Sequence, residues 1–266
     1  MTAVLLSEVR KLTTTRSWIV LLAATAVAAL VFTGIYVAVG LLAGGPKAPN
    51  MFAQQDFIAI IYTGANRAAR ILAIIAGAMA IGAEFRHRTL STSYLAVPVR
   101  NRMVAGKAII TFGYGLAFGV VATVIGFLVA ALMVSIKNGS LFLDRGSSWQ
   151  ALLLNIVSLG LWTMIGFGFG ILIKNMIASV LIAVGFAYIL EPALNIVFSL
   201  KHWTVPANLM PSGATTSLVG VDANGILQTG FGAEPWPAYA GFLVLLGWAV
   251  IPAVVGLLST VRQDVA

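Results

Sequence analysis

Six long apolar runs constrain this chain more than any other feature of its sequence. At about 1.5 Å per residue, about 20 helical residues cross the roughly 30 Å hydrocarbon core of a bilayer. The chain is 60% hydrophobic and only 9% charged, which leaves too little polar surface to cover a water-soluble particle. We therefore expect an all-α polytopic membrane protein with six transmembrane helices in a single domain over residues 1–266. The predicted spans are roughly 18–42, 67–83, 108–136, 150–173, 176–200 and 237–258.

Three polar segments punctuate these spans. Residues 1–17 are predicted to form an amphipathic helix lying in the membrane interface, with Leu6 and Val9 on its apolar face. Residues 84–107, called the coupling loop from here on, are a long polar interruption and are expected to form a cytoplasmic loop. Residues 201–236 are predicted to be an outer segment whose middle part is re-entrant or lies on the surface, because it is too short and polar to span.

The distribution of basic residues predicts the orientation of the spans. Six spans put both termini on one side, and with the N-terminus inside, ten basic residues fall on inner segments against six on outer ones. Basic residues concentrate on the cytoplasmic side of membrane proteins, so we expect both termini in the cytoplasm and the chain in the inner (plasma) membrane. The same rule accounts for the net charge of +8 without a nucleic-acid partner.

Motifs for chemistry within the chain are scarce. No GxxxxGK[ST] sequence occurs, so no P-loop for ATP is expected. The two histidines, His87 and His202, fall on opposite predicted sides and predict no metal site. The GFGFG pattern at residues 166–170 sits inside an apolar run and is interpreted as a helix-packing surface. We expect neither an enzyme active site nor a bound cofactor in this chain.

Glu191 is the one acid placed within a predicted span, and Asn195 follows one turn later. Acids in a membrane are costly, by about 3 kcal/mol on insertion scales. Two interpretations stay open: a cavity-lining acid that contacts substrate, or a wet or ion-paired acid near the outer end of span five. Pro192 predicts a kink near residue 188, because proline lacks the backbone donor of a regular helix.

The coupling loop concentrates basic residues around a single acid, Glu84. Residues 85–95 can form a short helix that ends before Val97-Pro98, because the residue before a proline avoids helical geometry. Leu90, Tyr94 and Leu95 lie near one face, which is expected to fill a groove on a partner protein. The alternative is a loop that only binds lipid headgroups, and Arg100, Arg102 and Lys107 are interpreted as membrane anchors.

Three stretches resemble the small six-span permease subunits of type-2 ABC exporters, whose ATPase is a separate polypeptide. The first is SEVRKLTTTRSWIVLL from Ser7 to Leu22, and the second is GAEFRHRTLSTSYLAVPVRNRMVAGK from Gly82 to Lys107. The third combines ILEPALN at residues 189–195 with LMPSGA at residues 209–214. The likeness covers nearly the whole chain, and the second stretch is its most specific part.

The resemblance implies that two permeases pair, as a homodimer or with a related chain, and that each docks an ATPase carrying ATP and Mg²⁺. ATPase closure would move the coupling loop and the N-terminal helix, so that an amphipathic or apolar compound leaves the cell. The implied ATPase-coupling residues are Glu84, Phe85, Arg86, His87, Arg88, Leu90 and Tyr94. The substrate-pathway candidates are Phe32, Tyr36, Glu191 and Asn195.

Two other classes of function stay open. An ion- or proton-coupled carrier acting alone would use Glu191 as its intramembrane site. An intramembrane enzyme or a non-transporting sensor subunit is the third possibility, although the sequence offers no constellation of Asp, His and Ser for catalysis.

Overall fold

The computed structural model describes residues 6–10, 14–43, 50–87, 100–221 and 234–263. Within these ranges the backbone is helical, contains no strand, and has six helices long and apolar enough to cross a membrane. The prediction of a six-span, all-α polytopic protein is therefore confirmed. The helices are α1 (Ser17–Ala43), α2 (Gln55–Thr63), α3 (Asn66–His87), α4 (Arg100–Lys137), α5 (Gly146–Ile173), α6 (Met176–Gly185), α7 (Glu191–Leu200), α8 (Thr204–Leu209), α9 (Pro211–Val219) and α10 (Ala238–Gln263).

Spans two and four form the centre of the bundle. In their most apolar windows 78% and 67% of the residues are buried, against 17% for spans one and five. The peripheral helices instead expose large aliphatic side chains, among them Leu42, Leu181 and Ile189. Lipid tails solvate such a surface as well as a protein core does, so this inside-out distribution is what a membrane-spanning bundle requires.

Glycines allow α3 and α5 to touch through their backbones. A Cβ on Gly77 would overlap the carbonyl oxygen of Thr163, and a Cβ on Gly166 would overlap that of Ile74. Gly170 likewise has no room for a side chain, because Ile81 lies against it. Small residues at a helix interface permit this close approach, so the interpretation of GFGFG as a packing surface is confirmed.

The second span begins at Gln55, not near Arg67 as predicted. The segment Phe57–Tyr62 is the buried middle of α2. Gly64 keeps right-handed helical angles (φ −57°, ψ −30°), so α2 runs almost directly into α3. A side chain at Gly64 would lie 2.5 Å from the ring of Tyr36, which explains why a residue usually found in turns stands inside this span.

Span five contains the predicted distortion. The α-helix gives way to a π-helical turn at Phe186–Leu190 and resumes at Glu191, immediately before Pro192. A wider turn removes the requirement for a hydrogen bond from the missing N–H of Pro192. The π-helical turn thus interrupts the α-helix at the place where a kink was predicted, near residue 188.

The segment between spans five and six folds into two short helices, α8 and α9, joined at Met210. Trp162 of α5 donates from Nε1 to Thr215 Oγ1 at 2.9 Å, and Trp248 of α10 donates to the carbonyl of Leu209 at 2.9 Å. A Cβ on Gly241 would lie 2.5 Å from the carbonyl oxygen of Ala214, so α9 packs closely on α10. This pair of helices is anchored in the bundle, whereas residues 222–233 lie outside the described ranges.

The two ends of the bundle collect different connections. At one end, a Cβ on Gly82 would lie 2.9 Å from Met176 Cβ, which brings the end of α3 beside the α5–α6 turn. At the other end, Asn50 Nδ2 donates to the carbonyl of Lys137 at 2.8 Å, and Gln55 Nε2 donates to Ser147 Oγ at 2.5 Å. Successive spans cross the bundle in opposite directions, so the connections between them alternate between its two ends. Both flanks of the coupling loop therefore lie at the same end.

Candidate functional site

The coupling loop is described only at its two flanks. Glu84 is buried near the end of α3, and the backbone of Phe85, Arg86 and His87 completes the last turn of that helix. Arg88, Leu90 and Tyr94 lie outside the described residues. The helix predicted over residues 85–95 therefore starts as a continuation of span two, and its remainder stays a prediction.

A buried ion triad joins the two flanks of this loop to the N-terminal segment. Lys107 Nζ lies 2.5 Å from Glu8 Oε2 and 2.9 Å from Glu84 Oε1. The three residues are each 5–6% exposed. Pairing with opposite charges is what makes burial of such groups tolerable. The interpretation of Lys107 as a mere membrane anchor is therefore wrong, since its ammonium group points into the protein.

The triad also fixes the orientation of the N-terminal helical segment, residues 6–10. Glu8 faces the bundle, whereas Leu6 and Val9 are exposed on other sides of the segment. An amphipathic helix in the membrane interface would present its apolar side in this way. Sequence reasoning placed Glu8 off the apolar face but missed its partner, although Glu8 and Glu84 are the two acids among the predicted inner segments before the C-terminal tail.

Glu191 is only 1% exposed, so the interpretation of this acid as a wet residue is wrong. Its Oε1 accepts the backbone N–H of Ser212 at 2.6 Å and the Ser212 hydroxyl at 2.6 Å. Asn195 Nδ2 donates to the same hydroxyl at 3.3 Å. Ser212 stands in the first turn of α9, where helix N–H groups are left for side-chain acceptors. Both residues therefore tie span five to the α8–α9 pair.

The other two pathway candidates lie elsewhere. Tyr36 is 1% exposed and packs in the core cluster that contains Phe52, Phe57 and Tyr62. Phe32, one turn earlier on α1, is half-buried. The structure thus brings Glu191 and Asn195 together at Ser212 but places Tyr36 in a separate cluster. Participation of these four residues in a substrate pathway stays a prediction.

A polar network crosses the middle of the bundle, and sequence reasoning did not find it. Asn66 Nδ2 donates to Asn155 Oδ1 at 2.6 Å and to Ser158 Oγ at 2.8 Å. Asn155 Nδ2 in turn donates to Thr123 Oγ1 at 2.8 Å. Asn155 within the fourth apolar run was the available signal, because a buried amide in a membrane span requires partners.

Arg70 lies one turn from Asn66 and is buried inside the bundle. It is 9% exposed, and its guanidinium carbon lies 5.1 Å from the ring centroid of Trp162. An aromatic face attracts a cation at this distance. Arg70 is buried because span two begins at Gln55, well before this residue.

A cavity opens beside this network, between α3, α5 and α9. Its empty volume is ≈ 360 Å³, counting the open mouth. Buried polar side chains line its floor: Thr63, Asn66, Arg70, Asn155 and Thr215. Half-exposed side chains of Arg67, Thr216 and Val221 stand at its mouth. No three metal-ligating side chains converge in the part of the chain that the structure describes.

Comparison with known proteins adds no family to this description. No protein-family model matches the chain. No curated protein matches it significantly. The relation to type-2 ABC permeases therefore stays a resemblance carried by the three stretches quoted above.

Proposed function

We propose that this chain is the membrane-spanning subunit of an ATP-driven ABC exporter. It moves an amphipathic or apolar compound, such as a drug, an antibiotic or a lipid-like molecule, out of the cell. A separate ATPase subunit hydrolyses the ATP. The observation that carries the proposal is the ion triad of Glu8, Lys107 and Glu84, because it makes the N-terminal segment and both flanks of the coupling loop one mechanical unit.

A transporter driven by a separate ATPase needs such a unit. The ATPase can shift the conformation of the permease only through contacts that differ between its open and closed states. Contacts made on the coupling loop pass to α3 through Glu84, to α4 through Lys107 and to the N-terminal segment through Glu8. Movement of the loop is therefore transmitted to spans two and three together.

The distribution of charge supports an orientation with both termini in the cytoplasm. Counted from the sequence, ten basic residues belong to inner segments and six to outer ones. Arg70 leaves the outer set and Lys107 leaves the inner set because both are buried in the bundle, which makes the count nine against five. The resulting asymmetry favours a multi-pass protein of the plasma membrane with the triad on the cytoplasmic side.

The working complex would contain two copies of the ATPase and two permeases, either identical or related. The exposed aliphatic faces of spans one and five suit either lipid or a second permease. In a complex with a related permease, that chain would supply the other half of the pathway.

The decisive experiment is co-expression with a candidate P-loop ATPase. We expect the ATPase to co-purify with this chain and its hydrolysis rate to change in the complex. Arg86→Glu and Arg88→Glu should reduce that effect, because reversing a rim charge weakens a docking contact. Arg145→Glu, at the opposite end of the bundle, is the matched control. The proposal fails if no P-loop ATPase co-purifies, or if the loop variants leave hydrolysis unchanged in the complex obtained.

A carrier acting alone is the second candidate, and the burial of Glu191 favours it. A carrier of this kind needs no ATPase. Its transport should stop when the proton gradient is removed, and Glu191→Gln should abolish it. An exporter driven by ATP should keep its transport when a protonophore removes the gradient. Transport assays in vesicles with and without ATP therefore separate the two functions.

A further inference from the structure

Three aromatic side chains stand on the outer surface of the bundle. Trp149, Trp203 and Tyr239 are each at least half exposed. Every other large hydrophobic side chain that is exposed in the described ranges is aliphatic. Exposed aromatic rings are therefore confined to these three positions, and what the positions share indicates what covers them.

The three residues, called the aromatic collar from here on, lie at one end of the bundle. Trp149 stands in the first turn of α5, Tyr239 stands in the first turn of α10, and Trp203 follows the end of α7 by three residues. A Cβ on Gly256 would lie 2.8 Å from Leu172, which brings the last turns of α10 and α5 together. Those last turns lie at the end of the bundle that holds the ion triad, so the collar lies at the opposite end.

Exposed aliphatic side chains begin one helical turn from the collar, towards the middle of the bundle. On α5, the exposed Leu153 follows Trp149 by four residues, and on α10 the exposed Leu243 follows Tyr239 by four. Four helical residues correspond to about 6 Å. Tryptophan and tyrosine favour the headgroup level of a bilayer, whereas aliphatic side chains favour its hydrocarbon core. The order of side chains along both helices therefore matches the passage from headgroups into hydrocarbon.

The charged side chains described beside the collar are balanced. Arg145 and Lys201 are exposed within four residues of the two tryptophans. Asp144, next to Arg145, and Glu234, which precedes α10, are exposed as well. Two cations and two acids offer an opposite charge to both the phosphate and the cationic group of a zwitterionic phospholipid.

We propose that the aromatic collar binds the headgroup region of the bilayer leaflet on the side opposite the ion triad, and that a zwitterionic phospholipid is sufficient for this binding. The rings lie at the level of the glycerol and ester groups, and Arg145 and Lys201 contact the phosphates. The collar thereby sets the depth of spans four, five and six in the membrane. Such binding needs no ATPase, so it does not depend on the proposed function.

The test uses the full chain in phosphatidylcholine vesicles and measures quenching of tryptophan fluorescence by brominated phosphatidylcholine. Bromine near the headgroup quenches shallow indoles, and bromine midway along the acyl chains quenches deeper ones. Trp149→Leu combined with Trp203→Leu should lose a large part of the quenching by shallow bromine and keep the quenching by deep bromine. Both side chains are exposed and leucine is also apolar, so the variant should fold, and each single variant serves if the double variant does not.

Leu153→Trp is the matched control, because it places an exposed indole on the same helix about 6 Å deeper than Trp149. It should add quenching by deep bromine. Vesicles of phosphatidylglycerol should give the same quenching as vesicles of phosphatidylcholine, because the charges beside the collar are balanced. The proposal is overturned if the leucine variants keep the shallow quenching of the unaltered protein, if acrylamide in the water quenches these two tryptophans instead, or if shallow quenching requires phosphatidylglycerol.

Discussion

Replacing Lys107 with methionine isolates the contribution of the ion triad to the stability of the fold. Lys107 stands between Glu8 at 2.5 Å and Glu84 at 2.9 Å, all in a setting that is at most 6% exposed. Methionine has a similar length and fills the same space, but leaves two buried carboxylates facing each other. Removing one partner of a buried ion pair costs about 3–5 kcal/mol, so we expect Lys107→Met to destabilise the protein by about that amount.

The composition of the triad predicts an order among its variants. Glu8→Gln removes one carboxylate and leaves the ion pair between Lys107 and Glu84, whose net charge is zero. Its cost is that of one charge-assisted hydrogen bond, about 1.5–3 kcal/mol. Lys107→Met should therefore be more harmful than Glu8→Gln. Adding Glu8→Gln to Lys107→Met should recover stability, because it removes the repulsion between the two acids.

The assay is unfolding in mixed micelles by increasing SDS, followed by tryptophan fluorescence. The matched control is Lys137→Met, the same substitution at the exposed end of the same helix, which should leave the midpoint almost unchanged. If Lys107→Met unfolds at the same SDS fraction as Lys137→Met, or if Glu8→Gln worsens Lys107→Met, the triad does not stabilise the fold in the way described.

Two further substitutions test the packing and the α9 contact. Gly77→Ala should destabilise the protein by about 1–3 kcal/mol, because the new methyl group overlaps the carbonyl of Thr163. Gly113→Ala is the control: no atom lies within 4 Å of its new Cβ, so it should raise stability by about 0.5–1 kcal/mol. Equal SDS midpoints for the two variants would contradict the packing argument. Glu191→Ala should speed hydrogen exchange at the Ser212 amide, because it removes the acceptor of that amide. Glu191→Gln keeps a carbonyl oxygen there, so its exchange rate should stay closer to that of the unaltered protein. Identical exchange in both variants would count against the contact.

Hydropathy was sufficient for the helices that cross the membrane in one uninterrupted run. It misjudged span two because residues 55–63 are too short to span alone and are separated from the next apolar run by Asn66, Arg67 and Arg70. In the structure Asn66 and Arg70 have partners inside the bundle, so they do not end the span. A hydropathy argument treats every charge as solvent-facing and cannot recognise this case.

The candidate site was less accessible from the sequence because its contacts are distant along the chain. Glu8 and Lys107 are 99 positions apart, and Asn66 and Asn155 are 89 apart. Helical periodicity identifies which residues share a face of one helix, but not which helix that face meets. Glu191 was identified from its position within an apolar run, whereas its acceptor role towards Ser212 depends on how α9 docks.

The length of α4 has a mechanical consequence. Its 38 residues form a helix of about 57 Å, which exceeds the hydrocarbon core by about 27 Å. Its α-helical hydrogen bonding is continuous, whereas span five changes to π-helical geometry at Phe186–Leu190. A displacement applied at Arg100 is therefore transmitted along a continuous α-helix to Lys137. The same displacement along span five reaches a turn where the α-helical hydrogen bonding is interrupted. We therefore expect changes of shape to concentrate in span five, at the π-helical turn Phe186–Leu190.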